Sequence, residues 1–206
     1  MKGYYFITDS ALSKKGNMSD IKAACEAGVK MIQFRSKNLS AKDFFREALS
    51  LKELCKASTF IINDRLDIAL AINADGIHMG QDDLPLPVVR KLLGKGKIIG
   101  ITVHSVAQAR QAQEQGADYL AVSPVFATLT KGDAGNPCGM GLIIEVRKRC
   151  HLPIAAIGGI TLENAREVVQ AGADMICAIS AVVSSDDVKK QIQKFQEIYY
   201  DPVRAG

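Results

Sequence analysis

The 206-residue sequence has no tryptophan, only three histidines and no long hydrophobic run. Its longest nearly apolar stretch, residues 175–183, is interrupted by Ser180 and reaches about half of the ~20 residues that cross a bilayer, so no membrane association is expected. The only early apolar run covers residues 4–7, short of the ~7–15 residues of a secretory signal core. The five cysteines, Cys25, Cys55, Cys138, Cys150 and Cys177, form no CxxC pair and leave one over, which points to reduced thiols in the cytoplasm. Four of them read as small core residues, while Cys138 falls in a polar loop. His78, His104 and His151 lack metal-ligand spacing, and no GxSxG motif occurs, which argues against zinc and serine-hydrolase chemistry. His78 falls inside a strand and reads as a hydrogen-bonded barrel residue, His104 reads as a helix start, and His151 belongs to the far side.

Charge of one sign is also scarce. With 26 basic and 22 acidic residues the formal charge is +4, the basic residues are scattered, and no aromatics interleave with them. A nucleic-acid partner is therefore not expected, whereas a few anion-binding cations are.

What the sequence does contain is 48% hydrophobic and 23% charged residues without a Ser-, Pro- or Gly-rich linker, so residues 1–206 read as a single domain. Short apolar, β-branched runs alternate with stretches of helical period, which predicts strands over residues 4–8, 31–35, 59–63, 76–79, 97–102, 119–123, 154–157 and 175–179. A helix-ending phrase recurs before a strand at AGVKMIQ, NADGIHM, QGADYLAV and AGADMICAI, with Gly28, Gly116 and Gly172 suited to left-handed helix caps. The intervals from Gly28 to Asn73, Gly116 and Gly172 are 45, 43 and 56 residues, each long enough for two βα units. Eight such units predict an α/β fold, a single (β/α)8 TIM barrel. An open doubly wound sheet is disfavoured because no GxGxxG follows the first strand.

In such a barrel chemistry collects at the carboxyl ends of the strands. Arg35 and Lys37 stand two apart there, on the same side as Gln33, and can grip one anion together. Asp64 follows Asn63 at the end of the third strand and Asp83 ends the loop after the fourth, so the two could share Mg²⁺, although each could instead cap a helix, and Asp82 is not separated from Asp83 by sequence alone. Gly158 and Gly159 after the seventh strand and Ile179 and Ser180 after the eighth suit a phosphate on bare backbone N–H groups. Thr128, Thr130 and Lys131 lie in a polar loop expected to close over a bound ligand.

Taken in order, YYFITD, QFRSK, INDRLDIAL, ADGIHMGQDDLP, GITVHS, SPVFATLTK, AIGGIT and GADMICAISA resemble the thiamine phosphate synthase family over nearly the whole chain. The resemblance implies a transferase that condenses a pyrimidine diphosphate with a thiazole phosphate and releases pyrophosphate after the diphosphate departs from a pyrimidine-stabilised carbocation. It implies that Gln33, Phe34, Arg35, Ser36, Lys37 and Asn63 bind the pyrimidine diphosphate and that Asp64 and Asp83 hold Mg²⁺. Thr128, Leu129, Thr130, Gly159, Ile179 and Ser180 would hold the thiazole phosphate, with Lys131 on the diphosphate. Arg35, Lys37, Lys131 and Thr102 are the expected catalytic residues, and a homo-oligomer is compatible with the family. Two departures stand out: Thr102 where the family usually has Ser, and Ser123 where it often has Gly. A thiazole tautomerase-like relative is the alternative, but it has a His at the position of Pro124 and lacks the full aspartate pair. A noncatalytic phosphate-sensing barrel is the third reading.

Overall fold

The computed structural model describes residues 1–128, 130 and 135–200. Eight parallel strands close into a barrel: β1 (Gly3–Ile7), β2 (Met31–Phe34), β3 (Thr59–Asn63), β4 (Gly76–Met79), β5 (Ile98–Val103), β6 (Tyr119–Val122), β7 (Ile154–Ile157) and β8 (Met175–Cys177). Helices α1 (Asn17–Glu26), α2 (Ala41–Leu54), α3 (Leu66–Ala71), α4 (Leu86–Leu93), α5 (Val106–Glu114), α6 (Gly139–Arg149) and α7 (Ala165–Gln170) return the chain between strands. The short α8 (Ile179–Val183) and α9 (Val188–Tyr200) follow β8. The predicted barrel is the observed one, with strand ends shifted by one residue in β1, β2, β5 and β6. The last strand stops at Cys177, because Ile179 already opens α8 rather than extending β8.

Alternation along each strand sorts side chains into two separate cores. Tyr5, Ile7, Met31, Ile61, Tyr119, Ala121, Ala155, Met175 and Cys177 point inward and fill the barrel. Their neighbours Phe6, Ile32, Phe34, Phe60, Ile62, Ile77, Ile99, Leu120 and Ile176 point outward into the layer beneath the helices. Spacing of four residues on α2 (Phe44, Ala48) and on α9 (Val188, Ile192) supplies the apolar faces that cover this outer layer.

The recurring phrase has a physical role. Gly28, Asn73, Gly116 and Gly172 all adopt positive φ (75°, 52°, 91° and 112°), turning the chain from a helix into the next strand. Three residues of the repeat, Asp75, Asp118 and Asp174, then each use Oδ2 to accept the backbone N–H of a neighbouring strand: Phe60 at 2.8 Å, Ile99 at 2.7 Å and Ile154 at 2.9 Å. Arg90 and Arg147 reach the second and third of these carboxylates. Lys30 occupies the corresponding place before β2. These ties bind β3 to β4, β5 to β6 and β7 to β8 at the amino ends of the strands.

Closure joins β1 to β8 through the register pairs Gly3↔Met175 and Tyr4↔Ile176. The Tyr4 hydroxyl donates to the Ala178 carbonyl at 3.1 Å, and its ring lies 5.5 Å from that of Phe195 on α9. Among the described residues no helix is long and apolar enough to cross a membrane, and all five cysteines are free thiols.

Candidate active site

The carboxyl ends of the strands surround a cavity of about 310 Å³. Its lining follows the same alternation that fills the barrel. Each strand contributes every second residue: Tyr5 and Ile7; Gln33, Arg35 and Lys37; Asn63; His78 and Gly80; Thr102 and His104; Ala121 and Ser123; Ile157 and Gly159; Cys177 and Ile179. Asp64, Gln81, Asp82, Asp83, Thr128, Thr130, Gly158 and Ile160 join them from the loops, and Ser180 from the start of α8. Phe34 obeys the rule in the opposite sense. Its ring is fully buried on the outer face, 4.5 Å from the Phe44 ring, which leaves its backbone as the part that can meet a ligand. Ser36 likewise stays out of the cavity lining, and its hydroxyl is buried without a hydrogen-bond partner among the described residues. Leu129 and Lys131 lie outside the described residues, as does part of the loop between Thr128 and Gly139.

Two cations and two carboxylates meet on one side. Arg35 forms an ion pair at 3.1 Å with Asp9, a carboxylate 8% exposed that also accepts the N–H groups of Ala11 and Leu12. The Thr8 hydroxyl accepts the Arg35 N–H at 2.9 Å and donates to the Arg35 carbonyl at 3.0 Å. This clamp fixes the guanidinium beside the cavity. Lys37 places Nζ 2.6 Å from Asp64 Oδ2.

Neither aspartate proposed as a metal ligand is a helix cap. Asp64 sits at φ +60°, with Arg65 at the N-cap of α3, while Pro85 holds that place on α4. Asp83 folds back instead, so that Oδ2 accepts the Gly80 N–H at 2.7 Å. Burial, helped by the neighbouring Asp64 carboxylate, pushes the Asp83 carboxyl up against the opposing pull of that N–H. Two carboxylates converge here on a half-buried spot with a lysine ammonium against one of them. Hard oxygen donors crowded in this way fit a small divalent cation that takes one or two protein carboxylates and fills its shell with water and phosphate. No cluster of three or more His, Cys, Asp or Glu exists among the described residues, so a site closed by protein ligands alone is not formed there.

The floor of the cavity is a polar chain running through the barrel. Gln33 Nε2 lies 2.5 Å from the Tyr5 hydroxyl, which lies 2.9 Å from that of Tyr119. The Tyr119 hydroxyl is 2.8 Å from His78 Nδ1, and His78 Nε2 is 3.0 Å from Thr102 Oγ1. His78 is thus the hydrogen-bonded barrel residue that its place in a strand predicts. His104 precedes Ser105, the N-cap of α5, and directs Nδ1 to the Ser123 carbonyl at 2.7 Å, so it lies at the rim of the cavity rather than inside a helix.

On the opposite rim Gly158 and Gly159 adopt φ +103° and +63°. No helix opens directly at this pair: α7 begins at Ala165, after a turn in which Asn164 Nδ2 donates to the Gly159 carbonyl at 3.0 Å. A Cβ on Gly158 would come within 2.6 Å of Pro124 Cβ, and one on Gly159 within 2.6 Å of the Ala127 carbonyl oxygen. The glycines are needed first for close approach of the β6 loop. Ile179 and Ser180 open α8 beside them, and the Thr128 hydroxyl accepts the Thr130 N–H at 3.2 Å.

Tyr5, Ile7, His104, Ala121, Ser123 and Cys177 line the cavity without having been singled out as site residues. The period-two rule, run back from Ile179 and on from Thr102, would have found Cys177 and His104, whereas β1 and β6 carried no predicted site residue from which to start.

A family model described as thiamine monophosphate synthase matches residues 4–182. A thiamine-phosphate synthase of Methanosarcina mazei is 49% identical over 196 residues, covering 95% of this chain and 82% of that protein. The corresponding protein of Methanosarcina barkeri is 48% identical, covering 93% and 88%. Among solved structures, thiamine phosphate pyrophosphorylase from Pyrococcus furiosus superposes with a TM-score of 0.88 at 35% identity, covering 96% of this chain and 95% of that one. A barrel of matching topology, a cavity at the expected end of its strands and sequence agreement across both establish that the chain belongs to the thiamine phosphate synthase family of transferases.

Proposed function

We propose that this chain joins 4-amino-2-methyl-5-(diphosphooxymethyl)pyrimidine to a thiazole phosphate, giving thiamine phosphate and pyrophosphate. The observation that carries this reading is the meeting of Arg35, Lys37, Asp64 and Asp83 at one edge of a cavity with a polar floor. A diphosphate leaving a carbon atom takes the bonding electrons with it, so the site must stabilise growing negative charge more than it must move a proton. Arg35, held by Asp9 and Thr8, and Lys37 supply that charge in fixed positions. Asp64 and Asp83 would hold Mg²⁺, which adds positive charge next to the diphosphate when bound. By family resemblance Lys131 completes the cationic set, with Asn63 and Gln33 on the pyrimidine. By the same resemblance Thr128, Leu129, Thr130, Gly159, Ile179 and Ser180 would bind the thiazole phosphate, so that the thiazole nitrogen attacks the carbocation once the C–O bond has broken. Exclusion of water by the buried barrel floor protects that cation until the new C–N bond forms.

We read residues 1–206 as one catalytic domain acting in the cytoplasm, in keeping with five free thiols. Pro124 and the aspartate pair favour synthase over the tautomerase-like relative, and the cationic edge beside them favours turnover over ligand sensing alone.

The test is purified protein with both substrates and Mg²⁺, assayed for thiamine phosphate and pyrophosphate. Asp83→Ala should lower kcat by two or more orders of magnitude, the scale of losing ~3 kcal/mol of transition-state stabilisation. Binding of both substrates with no thiamine phosphate formed would refute the assignment.

A further inference from the structure

The polar chain in the barrel floor contains a fixed number of protons, and this restricts how its two ends can face a ligand. Burial pushes the Tyr5 and Tyr119 hydroxyls far up, so each keeps its single proton. Tyr5 receives the Gln33 amide N–H, and the sense that gives every buried proton of the chain an acceptor has Tyr5 donating to Tyr119. Tyr119 then gives its proton to His78 Nδ1. With Nδ1 accepting, the ring proton of a neutral His78 sits on Nε2 and is donated to Thr102 Oγ1. Thr102 is left with its own O–H to donate into the cavity. Gln33, with one amide N–H committed to the floor and its orientation thereby fixed, presents Oε1 as its acceptor. One end of the relay accepts and the other donates. Reversing that sense takes an amide flip, three hydroxyl rotations and a histidine tautomer change together.

The backbone is shaped to hold this relay. His78, Gly100 and Tyr119 form one register row across β4, β5 and β6. Gly100 has no side chain between the two rings, which stack at 5.5 Å and 24°. A Cβ at Gly100 would fall 1.9 Å from the Tyr119 ring. The glycine is what allows the Tyr119 hydroxyl to reach both Tyr5 and His78.

We propose that Tyr119, through this relay, is a specificity-determining residue that sets the hydrogen-bonding sense in which the cavity reads the pyrimidine, favouring the 4-amino ring over its 4-oxo analogue. This rests on the substrate reading given above. The amino ring offers an exocyclic N–H donor to Gln33 Oε1 and an unprotonated ring nitrogen to the Thr102 hydroxyl. The oxo ring sets its carbonyl oxygen against Gln33 Oε1, acceptor against acceptor, unless the amide and with it the relay turns over, whereas the Thr102 hydroxyl can still accept a ring N–H through its remaining lone pair. Selectivity built on a hydrogen-bonding sense can be large, because the wrong ring leaves polar groups unpaired. Tyr119 touches neither end of the ligand in this scheme and acts as a positioning residue.

Tyr119→Phe and Tyr5→Phe keep the ring volume and cut the relay at two different links. Calorimetric titration with the diphosphates of the 4-amino and 4-oxo pyrimidines, in the presence of Mg²⁺, reads selectivity without requiring turnover. The unaltered protein should prefer the amino ring by about a hundredfold or more. Each Phe variant should bring that ratio to within about tenfold of unity while leaving pyrophosphate affinity unchanged. Nitrogen-15 spectra of labelled histidine should show His78 protonated on Nε2 in the amino-ring complex, and a mixture of tautomers in Tyr119→Phe. If Tyr119→Phe fails to fold, Tyr5→Phe alone decides. A ratio unchanged in the variants, or equal binding of both rings by the unaltered protein, overturns the relay even if thiamine phosphate is formed. Relay-dependent selectivity without thiamine phosphate formation would sustain the relay and reject the assigned reaction.

Discussion

Removing the Asp118 carboxylate measures the ties at the amino ends of the strands. Its Oδ2 accepts the Ile99 N–H at 2.7 Å and an Arg90 Nη2 proton at 2.5 Å. In Asp118→Ala the Ile99 N–H, at a residue with no exposed surface, loses its acceptor, a loss of ~1–3 kcal/mol. The ion pair adds less, because the Asp118 side chain is 39% exposed and such pairs contribute at most ~1 kcal/mol after screening. Arg90 also keeps the carbonyls of Gly94, Lys97 and Gly116 as partners. The sum is ~2–3 kcal/mol, which for a chain of this size lowers Tm by about 5–10 °C. Asp118→Asn retains an acceptor for the strand and should lose less than half as much. Thermal unfolding followed by circular dichroism gives the shift, and kcat/KM at 25 °C should stay unchanged because the cavity is at the other end of the strands. A fall in Tm below ~2 °C for the Ala variant would refute the reasoning, as would lost activity at unchanged Tm.

Gly159→Ala should destabilise the protein by more than ~2 kcal/mol, since left-handed backbone costs alanine ~1–2 kcal/mol before the 2.6 Å approach to Ala127 is relieved; a raised KM for the thiazole with no change in Tm would restore a purely anion-binding role. Lys37→Met frees Asp64, so half-saturating Mg²⁺ should fall a few-fold while KM for the pyrimidine diphosphate rises about tenfold, and parallel changes in both would show that the ion pair does not compete with the metal. Asp20 is buried, and burial raises its carboxyl against the help of Ser13 and Lys15. Its folded pKa therefore exceeds the unfolded one, so its favourable contribution is present in acid and lost as pH rises through the folded value. Asp20→Asn should then gain Tm over the parent at neutral pH and lose that advantage in acid, as unfolding scans across pH would reveal; no gain at neutral pH would count against an ionised buried carboxylate.

The architecture was legible because buried parallel strands write near-continuous apolar runs, and because positive-φ residues recur before every second strand. Boundaries slipped where the last strand residue and the first loop residue are both compatible with extended backbone, as at Arg35 and Ser123. The site was legible where charge stood close behind a strand: Arg35 and Asp64 directly follow β2 and β3, and Lys37 and Asp83 lie three and four residues beyond β2 and β4. For Phe34 and Ser36 the contiguous motif does not tell side chain from backbone, because alternate residues of a strand face opposite sides and these two do not line the cavity. The capping alternatives for Asp64 and Asp83 failed for a different reason: both helices start later than their first polar residue, and loop geometry that sequence does not encode locally turns each carboxylate back toward the cavity. The Gly158 and Gly159 pair was found, but half of its meaning, contact with the β6 loop, depends on residues more than 30 positions away.

The aspartate ties have a consequence for how the barrel assembles. Each joins residues only 15 to 20 positions apart, so three strand pairs can form with little loss of loop entropy before the circle is complete. The β1–β8 seam, in contrast, must bring together residues some 170 positions apart, and it does so with two register pairs and the Tyr4 contacts to Ala178 and Phe195. Folding should therefore run from preformed pairs toward late closure. The same seam should be the first to open in the native state, with amides of β1 and β8 exchanging with solvent well before those of β5 and β6.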